Sequence, residues 1–332
     1  MTSDTTLDLD RLTERSLTLD DIPQLAEIYR ELEQAEPAEE HYSKDEIAEE
    51  LTGPTIDLQR ASYALLDGDT LVAFSAVVAI SDSTMWKAML NGGVRTGWTR
   101  RGLGTRVLRR SQEQARAWRA EVAPELPAEL TMWLPQQRVS TIALATAEGF
   151  QVWRYFFEMR RDLREPVETV AAPPGFTLRE YRVGDDDEPV RLARNASFAD
   201  HWGSLETTPE RWRAHMIDAT PFRPQHSFVA TFDDGPQQGG IAAFVLAEEF
   251  EAETEARGYR TGYVALVGTV REARGHGLAS ALLARQLASM QDGGYAFAEL
   301  GVDSDSPTGA GRIYQRAGFS QFKRVTAAGK KF

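Results

Sequence analysis

The 332-residue sequence has no cysteine, which removes disulfides, thiolate nucleophiles and thiolate metal sites together. Histidine is scarce. His41, His201, His215, His226 and His276 are scattered without metal-ligand spacing, and no metal is expected, because zinc sites bring clustered ligands. Long apolar runs are missing too, as is an Arg-led apolar signal segment at the start. A membrane partner is therefore not expected, and the cytoplasm is the expected location. Positive charge is in deficit: 37 lysines and arginines against 50 aspartates and glutamates leave a net charge of -13. That balance argues against nucleic acid, which needs a basic surface, and mildly favours a cationic substrate. Low-complexity tracts are absent, and the acidic stretch Met1–Asp10 is expected to be a mobile tail.

What the chain does have is one loop type used twice. Arg274-Gly275-His276-Gly277-Leu278-Ala279 and Arg100-Arg101-Gly102-Leu103-Gly104-Thr105 each run into an amphipathic helix. Apolar residues then recur at helical spacing, at Leu278, Leu282, Leu283, Leu287 and Met290 in one copy. In the other they are Leu103, Val107, Leu108, Ala115 and Trp118. Glycine lets the backbone turn its N–H groups toward a ligand, and a helix N-terminus adds roughly half a positive charge. The combination suits the pyrophosphate of a nucleotide-like cofactor.

The surroundings are duplicated as well. Ser62–Leu66, an Asp67-Gly68 turn and Leu71–Val78 read as a hairpin; so do Ser227–Phe232, Asp234-Gly235 and Ile241–Leu246. A short strand and helix precede each, at Ser16–Leu19 with Ile22–Leu32 and at Phe176–Tyr181 with Glu188–Phe198. Second helices are read at Lys44–Leu51 and Pro209–Ile217. After each loop helix comes a strand, Glu129–Leu134 or Tyr295–Val302, then a helix ending in Gly149-Phe150 or Gly318-Phe319. Each half thus reads β-α-α-β-β-β-α-β-α-β, and agreement between halves makes coincidence a poor explanation. All periodicity is interrupted over Arg164–Gly175. The expected division is an N-terminal domain 1–165, a linker 166–175 and a C-terminal domain 176–332, all of α/β class. Each domain is expected to be a mixed, mainly antiparallel sheet flanked by helices.

The later half carries the more specific constellation: the strand Gly262–Val270, the loop through Ser280, then Val302–Ala310 and Tyr314-Gln315-Arg316-Ala317-Gly318-Phe319. This resembles the GNAT N-acetyltransferase superfamily, whose loop reads Arg/Gln-x-x-Gly-x-Gly/Ala and whose later helix reads Tyr-x-x-x-Gly-Phe. The resemblance covers essentially the whole chain as two tandem copies. It implies direct transfer from acetyl-CoA, or another acyl-CoA, to the amine of a small molecule. By that resemblance Arg274, Gly275, His276, Gly277, Leu278, Ala279 and Ser280 surround the pyrophosphate, mostly through backbone N–H groups. Thr269 and Val270 pair with the pantetheine arm as a peptide adds to a sheet edge. Tyr314 protonates the leaving thiolate; the plain alternative is that it only packs beside Phe319.

The general base is left open among Glu248, Glu249 and Glu299, each of which also reads as an ordinary surface or salt-bridged carboxylate. In the earlier half Thr99 stands at the loop's leading position and Ala145 where Tyr314 stands. Catalysis through a helix tyrosine is excluded there, while Val94, Arg100, Arg101, Gly102, Gly104 and Thr105 keep a second cofactor site open. Ser306 replaces an Asn common in the superfamily. Asp200, His201 and Trp202 follow the first helix of the later half and are candidates to face the acceptor, by charge and a flat aromatic wall. Their alternative is a helix-end turn closed by Gly203 with Trp202 packed inward. A monomer or homodimer is expected. The competing reading is a non-catalytic CoA-binding sensor or interaction module. A dinucleotide oxidoreductase is disfavoured, because no full Gly-x-Gly-x-x-Gly follows a first strand.

Overall fold

A computed structural model describes residues 11–305 and 309–332; the expectations for Met1–Asp10 and Ser306 lie outside the described residues. The elements in chain order are β1 (Thr13–Arg15), α1 (Ile22–Ala35), α2 (Lys44–Thr52), α3 (Leu58–Ala61), β2 (Ser62–Asp67), β3 (Thr70–Ser81) and β4 (Trp86–Val94). Next come α4 (Leu103–Val122), β5 (Ala128–Pro135), α5 (Val139–Ala147), β6 (Gln151–Asp162), β7 (Phe176–Glu180), α6 (Asp187–Phe198) and α7 (Pro209–Trp212). The remainder is β8 (Phe228–Phe232), β9 (Ile241–Glu248), α8 (Glu251–Arg257), β10 (Thr261–Thr269), α9 (Leu278–Asp292), β11 (Phe297–Asp303), α10 (Ala310–Arg316) and β12 (Ser320–Lys331).

The chain forms two compact units. The first holds the residues up to Trp133 with Gln137–Gln151 and Ala328–Phe332; the second holds Leu134–Gln136 and Val152–Ala327. The units thus cut across the two sequence halves. Val152–Asp162 precedes the proline-rich segment yet belongs to the second unit, because β6 pairs antiparallel with β11 from Phe297↔Asp162 to Asp303↔Phe156. The closing Ala328–Phe332 belongs to the first unit, where the Phe332 N–H donates to the Ala128 carbonyl at 3.1 Å.

In the first unit β1, β2, β3 and β4 are antiparallel neighbours, and β4 then runs parallel to β5. The second repeats the plan: β7, β8, β9 and β10 are antiparallel, β10 is parallel to β11, and β11 pairs with β6. This is the expected mixed, mainly antiparallel sheet with flanking helices. Gly68 and Gly235 take φ of 60° and 80° at the acidic-glycine turns, a conformation open to glycine at no steric cost. The Ser43 capping box opens α2, with its hydroxyl accepting from the Glu46 N–H and the Glu46 carboxylate accepting from the Ser43 N–H. Helix α9 buries Leu278, Leu282, Leu283, Leu287 and Met290 in the core of its unit. It packs closely because Gly262 has no side chain: a Cβ there would lie 2.6 Å from the Met290 sulfur.

One local expectation is corrected, and two short helices are added. The first strand is Thr13–Arg15 rather than Ser16–Leu19; Leu17 is instead fully buried and its N–H donates to the Ser62 hydroxyl. The short helices α3 and α8 were not legible, since each contains too few residues to show a periodicity.

Candidate active site

In the second unit β10 and β11 pair only over Thr261↔Phe297, Gly262↔Ala298 and Tyr263↔Glu299. Beyond that row β10 continues to Thr269 and β11 to Asp303 without pairing to each other, so a wedge opens between two parallel strands. On its other side β10 stays paired with β9 as far as Thr269↔Ala243, with an irregularity between Val264 and Leu266. Backbone groups of β10 that face the wedge therefore have no ladder partner from β11, the condition for an added extended ligand.

At the end of β10 the chain makes a single 3₁₀ turn over Arg271–Ala273 and extends at Arg274. Gly275 and Gly277 both take φ of +83°, and α9 begins at Leu278. No side chain caps this helix, so its first N–H groups are open toward solvent, where the macrodipole favours an anion. A Cβ at Gly275 or Gly277 would meet nothing within 4 Å; the positive φ and free approach to the backbone, rather than crowding, call for glycine there. This donor set fits a pyrophosphate.

The side chains of the loop have separate duties. Arg274 donates to the carbonyls of Thr269 and Ser197, tying the loop to the end of α6. His276 Nδ1 lies 3.3 Å from the Ala273 carbonyl, and its ring packs at a tilt against Phe176. Leu278 and Val270 are buried in the core, which leaves them only their backbone to offer a ligand.

Tyr314, on α10, lies in the same core cluster as Val270, Ala273 and Leu278. Its ring sits edge-on to Phe319 with centroids 6.2 Å apart. Gly318, at φ +87°, turns the chain so that the Phe319 N–H returns to the Tyr314 carbonyl. Burial pushes the Tyr314 hydroxyl up to about 12, so it keeps its proton throughout the neutral range. Packing on Phe319 and serving as a proton reservoir are thus compatible.

The three carboxylates left open by sequence separate cleanly. Burial alone would raise Glu249, but hydrogen bonds from Arg260, Tyr295 and Arg223 overturn that and lower it to about 2. Glu299 is buried and bound by Arg160 at 2.6 Å and by Arg257 at 3.1 Å. The Glu248 side chain makes no hydrogen bond or ion pair among the described residues, and burial pushes its carboxyl up to about 7. Tyr263, in register between Glu248 and Glu299, was not a sequence candidate. Its position is a matter of strand register and left no local signal.

Asp200, His201 and Trp202 lie in the turn after α6. Asp200 forms an exposed ion pair with Arg271 at 3.1 Å. The His201 ring packs on Phe198, and burial lowers its basicity, with Arg274 adding to the effect. Trp202 meets Trp153 and Phe156 and carries the Arg154 guanidinium 5.3 Å from its ring centre. Gly203 closes the turn at φ +76°.

The first unit repeats the geometry. Strands β4 and β5 pair over Trp86↔Ala128 to Met89↔Thr131 and then part, with β4 running on to Val94. Thr99 is extended, Arg100 holds φ +61°, Gly102 holds φ +80°, and α4 starts at Leu103. Arg100 thus stands in the left-handed conformation that Gly275 occupies in the other loop. Arg101 lies over Trp98 with 5.5 Å to the ring centre. Gly104 abuts Leu144, and Ala145 is buried.

Comparison with known proteins agrees with this architecture. The family description "Acetyltransferase (GNAT) domain" matches residues 204–322. A mycothiol acetyltransferase of Salinispora arenicola is 32% identical over 231 residues, covering 69% of this chain and 68% of that protein. Its Salinispora tropica counterpart is 33% identical over 236 residues, with 69% and 68% covered. A GCN5-related N-acetyltransferase from Sphaerobacter thermophilus superposes with a TM-score of 0.74 at 23% identity, covering 97% of this chain and 96% of its own. A tandem GNAT protein from the clavulanic acid biosynthesis pathway superposes at 0.71, with 16% identity and 96% and 98% covered. The wedge of parallel strands leading to an uncapped helix behind a glycine loop is the part of this chain that the family match spans. The chain belongs to the GNAT acetyltransferase family and is an N-acetyltransferase. Its tandem layout, similar to that of mycothiol synthase, agrees with the names of these relatives.

Among the described residues no helix is long and apolar enough to cross a membrane. No group of three or more His, Cys, Asp or Glu side chains there could hold a metal.

Proposed function

We propose that the chain transfers an acyl group, acetyl by default, from acyl-CoA to the amine of a small molecule, with catalysis in the C-terminal half. The two sequence repeats would follow the division 1–165, 166–175 and 176–332, with β6 of the first repeat pairing inside the second compact unit. The observation that carries the reading is the combination, within one unit, of the wedge, the uncapped α9 behind Gly275 and Gly277, and the buried Tyr314. The first half lacks the third of these, having Ala145 instead. Acyl-CoA supplies the activated thioester. Arg274 through Ser280 would hold its pyrophosphate, and Thr269 with Val270 would align its arm. Tyr314 would hold the proton that the departing thiolate takes up. The loop bearing Val94, Arg100, Arg101, Gly102, Gly104 and Thr105 is a second, weaker site for the same molecule.

Asp200, His201 and Trp202 would form one wall for the acceptor, with the Asp200–Arg271 pair joining that wall to the loop. The relatives' name makes the un-acetylated amine of mycothiol the first acceptor to try. The protein would act in the cytoplasm as a monomer or homodimer, without nucleic acid or membrane. The non-catalytic sensor draws support from Ala145 in one half and is opposed by Tyr314 in the other.

The deciding experiment follows free thiol released from acetyl-CoA with that amine. Gly277→Asp should abolish tight acetyl-CoA binding, since its carboxylate would repel the pyrophosphate. Tyr314→Phe should leave binding intact and lower kcat by one to four orders of magnitude. Bound acetyl-CoA without amine-dependent thiol release would favour the sensor. Wild-type turnover by Tyr314→Phe would refute the proton donor.

A further inference from the structure

The row where β10 and β11 part is the innermost point of the wedge. Glu248, Tyr263 and Glu299 stand side by side there, one on each of three adjacent strands. Gly262 faces Met290 of α9, and side chains alternate along a strand. The row therefore projects from the sheet face opposite α9. Phe250, at the start of α8, meets the Tyr263 ring edge-on with centroids 5.9 Å apart. A Cβ at Gly301 would lie 3.0 Å from the Tyr263 hydroxyl and 3.2 Å from a Glu158 carboxylate oxygen. Glycine at 301 thus makes room for the phenol to reach along β11 toward Glu158.

Charge is distributed unevenly over this row. Burial raises the Tyr263 hydroxyl, and Glu158, Glu248, Glu299 and Glu253 push it further the same way. Arg160 and Arg257 both bind Glu299, and Arg257 also binds Glu253. From the loop before β8, Arg223 is turned onto Glu249, which points to the other face. Glu248 receives none of these cations. A carboxyl that is largely out of water, without a side-chain partner, and one strand over from the closed end of the wedge lacks the usual purpose of a buried acid, which is to close an ion pair.

Resting on the acyl-transfer reading, we propose that Glu248 is the general base that removes a proton from the acceptor ammonium at the inner end of the wedge. Loss of that proton to the Glu248 carboxylate leaves a nitrogen lone pair, which attacks the thioester carbonyl carbon. The carbon–sulfur bond breaks with its electron pair on sulfur, and sulfur takes the Tyr314 proton. The second nitrogen proton restores Tyr314, and Glu248 passes the first to water. One ammonium and one thioester thus give one amide, one thiol and one proton. Burial holds Glu248 at about 7, where a base can be both ionised and strong enough to accept.

The test uses acetyl-CoA and the un-acetylated amine of mycothiol across pH 5.5 to 9.5. Wild-type kcat/KM should fall as pH drops through about 7, because protonated Glu248 cannot accept. Glu248→Gln should lose about 10²- to 10⁴-fold in kcat at pH 7 and lose that acidic limb, with acetyl-CoA affinity unchanged. Glu248→Asp should recover part of the rate. An unaltered pH profile in Glu248→Gln, or a rate within threefold of wild type, would overturn the assignment. Urea unfolding gives a readout free of any acceptor. The folded carboxyl titrates above its ordinary value of 4.5, so its ionisation opposes folding at high pH and not below that value. Glu248→Gln should therefore resist urea better than wild type at pH 8.5, with the gap narrowing as pH falls and closing below 4.5. A gap independent of pH would overturn the proposal. Absence of wild-type turnover would count against the acyl-transfer reading, while the unfolding series still decided the state of Glu248.

Discussion

Gly318 and Gly149 end corresponding helices in the same way, yet alanine should cost far more at one than at the other. Both hold left-handed backbone, at φ +87° and +80°, and both close the turn with paired amide bonds to the preceding carbonyls. Alanine in that conformation costs about 1–2 kcal/mol from steric contact alone. At Gly149 the added Cβ would sit 3.4 Å from Lys330 Cε, the flexible part of a long side chain, so little more is lost. At Gly318 it would overlap the Arg161 guanidinium, which donates to the carbonyls of Ala317 and Pro166. Arg161 is buried, so it cannot swing into water without abandoning those bonds. Hydrogen bonds from a charged donor are worth about 1.5–3 kcal/mol each. Losing one raises the cost of Gly318→Ala to about 3–5 kcal/mol, against about 1–2 kcal/mol for Gly149→Ala. Urea unfolding of each variant measures the difference. In an Arg161→Ala background the Gly318→Ala cost should shrink to the Gly149 value, a coupling that a double-mutant cycle isolates. Equal costs at the two glycines in the wild-type background would refute the reasoning.

Two further expectations concern stability. Glu249 is held at about 2 rather than 4.5, so its contribution is complete above about 4.5 and is lost as pH falls through about 2. Glu249→Gln should remove about 3 kcal/mol at neutral pH and flatten the acid limb of the stability profile; an unchanged limb would count against the Arg260–Glu249–Tyr295 network. Arg100 holds φ +61° without being glycine, so Arg100→Gly should raise stability by about 0.5–1 kcal/mol. A loss on denaturant titration would indicate that the Arg100 side chain contributes more than its backbone strain costs.

Much of the architecture was local and therefore legible. A positive φ at Gly275, Gly277 and Gly102, the apolar spacing of α4 and α9, and the Gly-Phe helix ends depend on residues within a turn or two of one another. Each leaves a pattern in a short window of sequence, and duplication of the pattern in two halves made it secure. The family resemblance rested on the same windows.

What the window could not contain was decided by pairing between distant segments. Glu248 and Glu249 are adjacent and chemically identical, but strand alternation sends them to opposite faces. Glu249 meets Arg223, Arg260 and Tyr295, while Glu248 meets Tyr263. Asp200 faces Arg271 across 71 residues of chain, a pairing that no short window could show. The proline-rich segment looked like the boundary between domains because it breaks periodicity, yet β6 before it pairs with β11 far beyond it. Periodicity tells a strand which face is apolar and leaves its neighbour unspecified. The sequence by itself determined the two glycine loops, the long helices behind them and the place of Tyr314 in this acetyltransferase. Only the register of its strands decided which carboxylate stands unpaired where the wedge opens.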